Sequence, residues 1–325
     1  MKIFCFVLLA LSITTSLPAQ EKNEEKFSAA LNRATKQATQ QQLFQLRYQF
    51  PAGQQFRWNV EQVTTNKTTM AETSEVMSSR TQSTTVWKVI HVDSLGQATL
   101  EQTIERMNMW QKIGDQEPAS YDSASNASPP KEFESMAKLV GKPLTTMLVD
   151  NCGITVAGES ETSQYRFGTG SPWVPFPKEP IAVGHQWFVP DEVLVSKEDK
   201  SKKRIKLRVK YELVAVQDGC ARIQFNTEIL TPIDDPQVRS QISQRINHGE
   251  MNFDLARGLM VGKKVNWNEK VQGFQGPNSL LHYLGEYSVS YVNPTAKSDV
   301  ANSTTVAKVK PIKIRTRDDG PVLRR

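Results

Sequence analysis

The chain has 325 residues, with 40 Lys and Arg against 34 Asp and Glu and a formal net charge of +6. That length leaves room for one large core or two half-domains. Beyond the opening residues no apolar run approaches the roughly 18 needed for a spanning helix, so the expectation excludes an integral membrane protein. The positive excess is local, concentrated in 200–210 and after Pro294, and describes particular surfaces instead of the whole chain.

Lys2, the apolar run 3–13 and the small residues leading to Ala19 read as a secretory signal peptide over 1–19. The mature protein is expected in the periplasm or outside the cell. Residues 20–46, rich in Gln, Lys, Glu and Ala, predict a polar helical leader. Removal of the signal takes Cys5 with it and leaves Cys152 and Cys220 in an oxidising compartment. Cys152 lies in the turn Asp150-Asn151-Cys152-Gly153 and Cys220 opens a strand; whether they pair is open at this level.

From about residue 47 the pattern is mostly period two, the mark of half-buried strands. In 204–213, Ile205, Leu207, Val209, Tyr211 and Leu213 alternate with Arg204, Lys206, Arg208, Lys210 and Glu212. The spacing predicts strands over 56–63, 84–92, 98–109 and 145–149, with a helix over 130–140 that carries Phe133 and Met136 and stops at Gly141. Further strands are predicted over 187–195, 204–216, 221–230, 251–255 and 259–265, with a helix over 236–247 that ends at Gly249. The fold expected is mainly β with a few helices, as a curved antiparallel sheet or two related half-barrels.

Each half repeats the order strand, strand, strand, helix, strand, strand. Gly96-Gln97-Ala98-Thr99-Leu100 aligns with Gly219-Cys220-Ala221-Arg222-Ile223, and Asp150 with Gly153-Ile154 aligns with Asp254 and Gly258-Leu259. The first half is taken as 47–170 and the second as 184–293. Between them, 171–183 contains Pro172, Pro175, Pro177 and Pro180 and is expected to be an extended joint. Residues 294–325 carry few large apolar groups and read as a disordered basic tail.

Several of these segments resemble an uncharacterised family of exported bacterial proteins. They are Phe50-Pro51-Ala52-Gly53-Gln54-Gln55-Phe56, Tyr121-Asp122-Ser123, Asp150 to Ile154, and Pro177 through Pro180 to Val183-Gly184 and Trp187. The resemblance spans roughly 46–292 and implies a β-rich exported domain while saying nothing of activity. The topology also resembles, more loosely, the half-barrels of periplasmic lipoprotein carriers.

No catalytic constellation stands out, and the reading is of a non-enzyme without metal or cofactor. His91, His185, His248 and His282 are scattered singly, and no serine elbow, phosphate loop or dinucleotide fingerprint is present. Asp191-Glu192 and Asp234-Asp235 are neighbours beside prolines, which suits turns better than an acid/base pair. Nucleic acid is not an expected partner of an exported chain without a recognition motif.

Two surfaces remain. Arg204, Lys206, Arg208 and Lys210 form a stripe with about 7 Å between cations, suited to an anionic envelope component or to an ordinary solvated strand face. Trp58, Trp187, Phe225, Phe253, Trp267 and Tyr287 are candidates to line the concavity of a curved sheet, either as packed core or around a lipid or other hydrophobic ligand. The leading expectation is an exported, envelope-associated binding protein. A structural or protein-interaction role in the envelope is the alternative.

Overall fold

The computed structural model describes residues 42–125, 127–160, 173–197 and 199–293. The expected signal peptide, most of the polar leader, the start of the joint and the basic tail lie outside the described residues. By its contacts the chain separates into Met1–Leu43 and Phe44–Arg325, and the large sheet belongs to the second unit.

Among the described residues the fold is mainly β with two short helices, as the alternation predicts. In chain order the strands of the large sheet are β1 (Gln55–Met70), β2 (Thr73–Val92), β3 (Ala98–Ile113), β4 (Ala119–Asp122), β5 (Pro143–Val149) and β6 (Thr155–Ser160), then β7 (Gln186–Ser196), β8 (Lys202–Gln217), β9 (Cys220–Ile229), β10 (His248–Asp254), β11 (Leu259–Gln272) and β12 (Ser279–Tyr291). They form one 12-stranded sheet in the order β6-β5-β3-β2-β1-β12-β11-β10-β9-β8-β7, with β4 added to β3. All these pairings are antiparallel. The chain therefore starts in the middle of the sheet, walks to one edge, crosses to the other edge and walks back until β12 pairs with β1.

Laid flat, the ten spacings between β6 and β7 would cover roughly 48 Å. The sheet cannot be flat, because Met147 and Val149 of β5 share one buried cluster with Trp187 of β7 and Tyr211 of β8. The bridge is the segment Trp173, Val174 and Phe176. Trp173 packs on Trp58 and Trp87 at 5.8 and 5.7 Å between ring centres, and Phe176 on Phe253 and Trp187 at 4.8 and 6.4 Å. The sheet curls around these rings without closing into a barrel.

A second segment, Leu46, Tyr48 and Phe50, lies beside the first. Its alternate residues are buried, and the Tyr48 hydroxyl accepts the Val174 N–H at 2.9 Å. Two turns grip it from opposite wings: Tyr48 N–H donates to Asn151 O at 2.8 Å and Gln49 N–H to Gly258 O at 3.0 Å. Glycine is needed at both turns, since φ is positive and a Cβ on Gly153 or Gly258 would come within 2.5 or 2.6 Å of this segment.

Several strands exceed their predicted lengths. β1 and β2 continue as a long hairpin whose polar extension is held by cross-strand pairs, Thr64 to Ser79 at 2.7 Å and Thr69 to Ser74 at 2.9 Å. The helices are shorter than predicted. The first, α1, is a 3-10 turn Lys131–Phe133 followed by Glu134–Ala137. The second, α2, spans Pro236–Ile242 and continues as a 3-10 turn Ser243–Arg245. Asp235 caps α2, its carboxylate accepting the N–H of Gln237 at 2.8 Å, and Pro236 fills the first helical position. Gly249 does not end this helix. It sits inside β10, paired with Val265, because the backbone has already turned extended at Ile246.

Two backbone brackets stand at Gly53 and Gly184, where the sequence pattern expects its two halves to open. Gly53 N–H donates to Val89 O and Val89 N–H to Gln54 O, while Gly184 N–H donates to Leu213 O and Leu213 N–H to His185 O.

Candidate functional site

The register locates every inward side chain. One row runs Trp187, Tyr211, Phe225, Gly249, Val265, Tyr287, Gln62, Thr81, Met109 and Tyr121, each opposite the next. Opposed residues share a face, so all of these point to the concave side. The neighbouring row is Leu213, Ile223, Met251, Lys263, Val289, Val60, Ser83 and Met107.

Each helix covers one wing of this face. Phe133 of α1 packs with Ile104, Met107, Met109 and Leu144. Val238 and Ile242 of α2 pack with Val195, Ile205 and Leu207, a burial worth about 1.5–3 kcal/mol for each side chain. Polar tethers fix α2: Arg239 with Glu269 at 3.1 Å, the Trp267 indole N–H to Gln244 O at 2.7 Å, and Gln241 exchanging two bonds with the Ser196 backbone. Between the wings Gln62, Thr81 and Tyr287 are only partly buried.

The six aromatic candidates all point inward. Trp58, Trp187, Phe225, Phe253 and Trp267 are buried members of one cluster, and Tyr287 is packed against it, partly buried. Trp58 and Phe253 belong to the packed base, at 2% and 0% exposure. Three indoles are anchored to carbonyls: Trp58 on Met260, Trp187 on Pro175 and Trp267 on Gln244. Phe225 and Trp267 each lie over a glycine in the strand beside them, Gly249 and Gly285.

Alternation misses the group that stands out on this face. Lys263 is 9% exposed in a row whose neighbours Leu213, Ile223, Met251, Val289 and Met107 are buried. Its ammonium lies 5.5 Å from the centre of the Phe225 ring, across the bare backbone of Gly249. Burial pushes its pKa down to about 8. Among the described residues no carboxylate pairs with it. Glu269 and Asp191, acids in the same inward phase, are taken by Arg239 at 3.1 Å and Arg245 at 4.0 Å. The phase could have been read from the sequence, since Val265 and Trp267 follow Lys263 at steps of two, but the Lys263-Lys264 pair looks like surface.

The stripe lies on the opposite, convex face. Arg204 is exposed and pairs with Glu192 at 2.5 Å, and Arg208 pairs with Glu228 at 2.6 Å while covering the Phe188 ring at 4.3 Å. Lys206 is exposed, and Lys210 borders an open depression of about 460 Å³ with Glu212, His248, Glu250 and Lys264. Exposed pairs of this kind contribute about 0–1 kcal/mol each, and here they neutralise half of the stripe.

Cys152 and Cys220 are free thiols, both raised in pKa first by burial. His282 is buried with Nε2 3.0 Å from Asn268 Oδ1, and its pKa is lowered, chiefly by burial. Among the described residues no group of three or more His, Cys, Asp or Glu could hold a metal ion, and no helix is long and apolar enough to cross a membrane.

No protein-family model and no curated protein matches the chain. Among solved structures, one of lipovitellin, concerned with its lipid–protein interactions, is similar at a TM-score of 0.41 and 9% identity over 75% of this chain. This chain spans about a quarter, 26%, of that one. DynF, from the dynemicin biosynthesis pathway of Micromonospora chersina, is similar at a TM-score of 0.20 and 6% identity, over 78% of this chain and 88% of its own.

Proposed function

We propose that the protein is an exported, envelope-associated, non-catalytic binding protein that takes a lipid or other hydrophobic ligand on the concave face of its sheet. The observation that carries this reading is the helix-covered pair of apolar wings with a half-exposed strip, Gln62, Thr81 and Tyr287, between them on one face. The opening segment 1–19 supports export. Lifting α2 would expose Val238 and Ile242 at a cost of about 3–6 kcal/mol, so a chain-like ligand is read as seating on the partly buried strip between the wings, clear of the aromatic base.

A relation by duplication between the halves accords with this reading. The Gly53/Val89 and Gly184/Leu213 brackets match, and the Asn151 and Gly258 carbonyls receive successive N–H groups of the same segment. A second reading, a structural or interaction component of the envelope, draws on the packed base, where Trp58, Trp173 and Phe253 are at most 2% exposed.

Native mass spectrometry of the protein purified from a membrane-containing host, followed by solvent extraction, separates the two. The binding reading predicts a stoichiometric lipid-sized adduct that disappears in Tyr287→Glu, provided that variant still unfolds cooperatively. A bare mass across a range of added lipid would leave the structural role.

A further inference from the structure

A cation in an apolar row, nine-tenths buried and without a counter-charge among the described residues, asks what balances it. Moving an ammonium out of water costs several kcal/mol unless an opposite charge or a set of acceptors replaces the lost hydration. Among the described residues, the compensation at Lys263 is the face of Phe225, an interaction of about 0.5–2 kcal/mol. The acids that could have served, Glu269 and Asp191, are engaged by the arginines of the α2 segment.

The site is built around this amine. Gly249 has no side chain between Lys263 and Phe225, and a Cβ there would come 2.0 Å from Lys264 O and 2.7 Å from Phe225 Cζ. Tyr287 flanks the same patch from the strand beside it, opposite Val265. Its phenol is kept protonated by burial and is a donor. Among the described residues its hydroxyl is not hydrogen-bonded to a protein partner. One ammonium and one phenol donor on an otherwise apolar part of the concave face are the complement of an anionic head joined to a hydrocarbon chain.

We propose that Lys263 is the counter-cation for the acidic head, a carboxylate or a phosphate monoester, of a single-chain amphiphile seated on the concave face. The inference rests on the hydrophobic-ligand reading above and adds the chemistry of the head. Lys263 donates to the anionic oxygens, Phe225 backs the ammonium, and the chain runs along the half-exposed strip toward Gln62 and Thr81.

The test is fluorescence titration of the delipidated protein with cis-parinaric acid and with its methyl ester, which share a chain and differ in charge. The acid is expected to bind at least tenfold tighter than the ester. Lys263→Met should weaken the acid about tenfold and leave the ester unchanged, while Lys264→Met, on the convex face of the same strand, should alter neither. Competition by laurate against dodecyl phosphate then assigns the head as carboxylate or phosphate. Equal binding of acid and ester by the unaltered chain overturns the anionic head and keeps the hydrophobic ligand. Failure to bind either overturns both. An equal loss in Lys264→Met would reduce the effect to surface charge and overturn the assignment. The acid–ester comparison on the unaltered protein tests the anionic head without any variant, and a Lys263→Met variant that unfolds cooperatively yet binds the acid as tightly as the unaltered chain overturns the assignment to Lys263.

Discussion

Lys263 reaches over Gly249 to place its ammonium 5.5 Å from the centre of the Phe225 ring, two strands away. In the unliganded protein this is a costly arrangement. Its pKa is lowered from 10.5 to about 8, so the fold favours the neutral amine. The penalty is fully present below pH 8 and fades as the pH rises toward 10.5, where the unfolded chain also loses the proton. Urea denaturation of the delipidated protein should therefore show Lys263→Met more stable at pH 7, by up to about 3 kcal/mol. That advantage should shrink between pH 8 and 10.5. An advantage that does not change with pH would place its origin in packing instead of charge.

Gly249 and Gly262 offer a matched comparison within adjoining strands. A Cβ on Gly249 meets Lys264 O at 2.0 Å, whereas on Gly262 the nearest atom is Val289 O at 3.7 Å. Gly249→Ala is expected to destabilise by about 1–3 kcal/mol and to displace Phe225, while Gly262→Ala stays near neutral. Chemical denaturation of both variants, with the Phe225 ring followed by NMR, checks the pair.

Tyr48→Phe removes only the hydroxyl that accepts the Val174 N–H. The ring keeps its stacking on Phe176 at 5.0 Å, so the loss should be that of one buried hydrogen bond, about 1–3 kcal/mol with Val174 N–H left unpaired. Hydrogen exchange at Val174 should accelerate along with the fall in stability. A slow Val174 amide with unchanged stability would show that another acceptor takes over.

The two free thiols differ in access. Cys220 is partly buried, and Cys152, within the turn that holds Tyr48, is 4% exposed. An aromatic disulfide reagent should titrate Cys220 first and Cys152 only on unfolding. A protein purified from an oxidising compartment that yields neither thiol in denaturant would contradict the free pair.

Much of this fold was legible because its strands are half-buried. Ile205, Leu207, Tyr211 and Leu213 are buried where alternation put them, and Arg204 and Lys206 face solvent. Strand ends were less legible. The hairpin tip from Thr64 to Ser79 is largely polar, leaves Met70 and Val76 exposed, and is held by Thr and Ser pairs that no periodicity reports. Gly249 reads as a helix stop because glycine commonly stands there, and only the cross-strand position of Phe225 explains it in a strand. The aromatic candidates were legible as inward-facing residues. The separation of a packed base from a half-exposed strip was not, because it depends on the segment from Trp173 to Phe176 returning to the core from far along the chain.

The pairing of β12 with β1 sets the order in which the sheet can be completed. Contacts such as Trp58 with Tyr291 join residues remote in sequence, and such closures are slow because the chain entropy must be lost before the contact stabilises anything. During synthesis the central strand β1 has only β2 beside it, and its other edge stays vacant until the last strand arrives. A chain threaded through a translocation channel from its N-terminus therefore cannot close the middle of its sheet until β12 has also passed. Such a topology postpones folding to the far side of the membrane, which suits the export proposed for this protein.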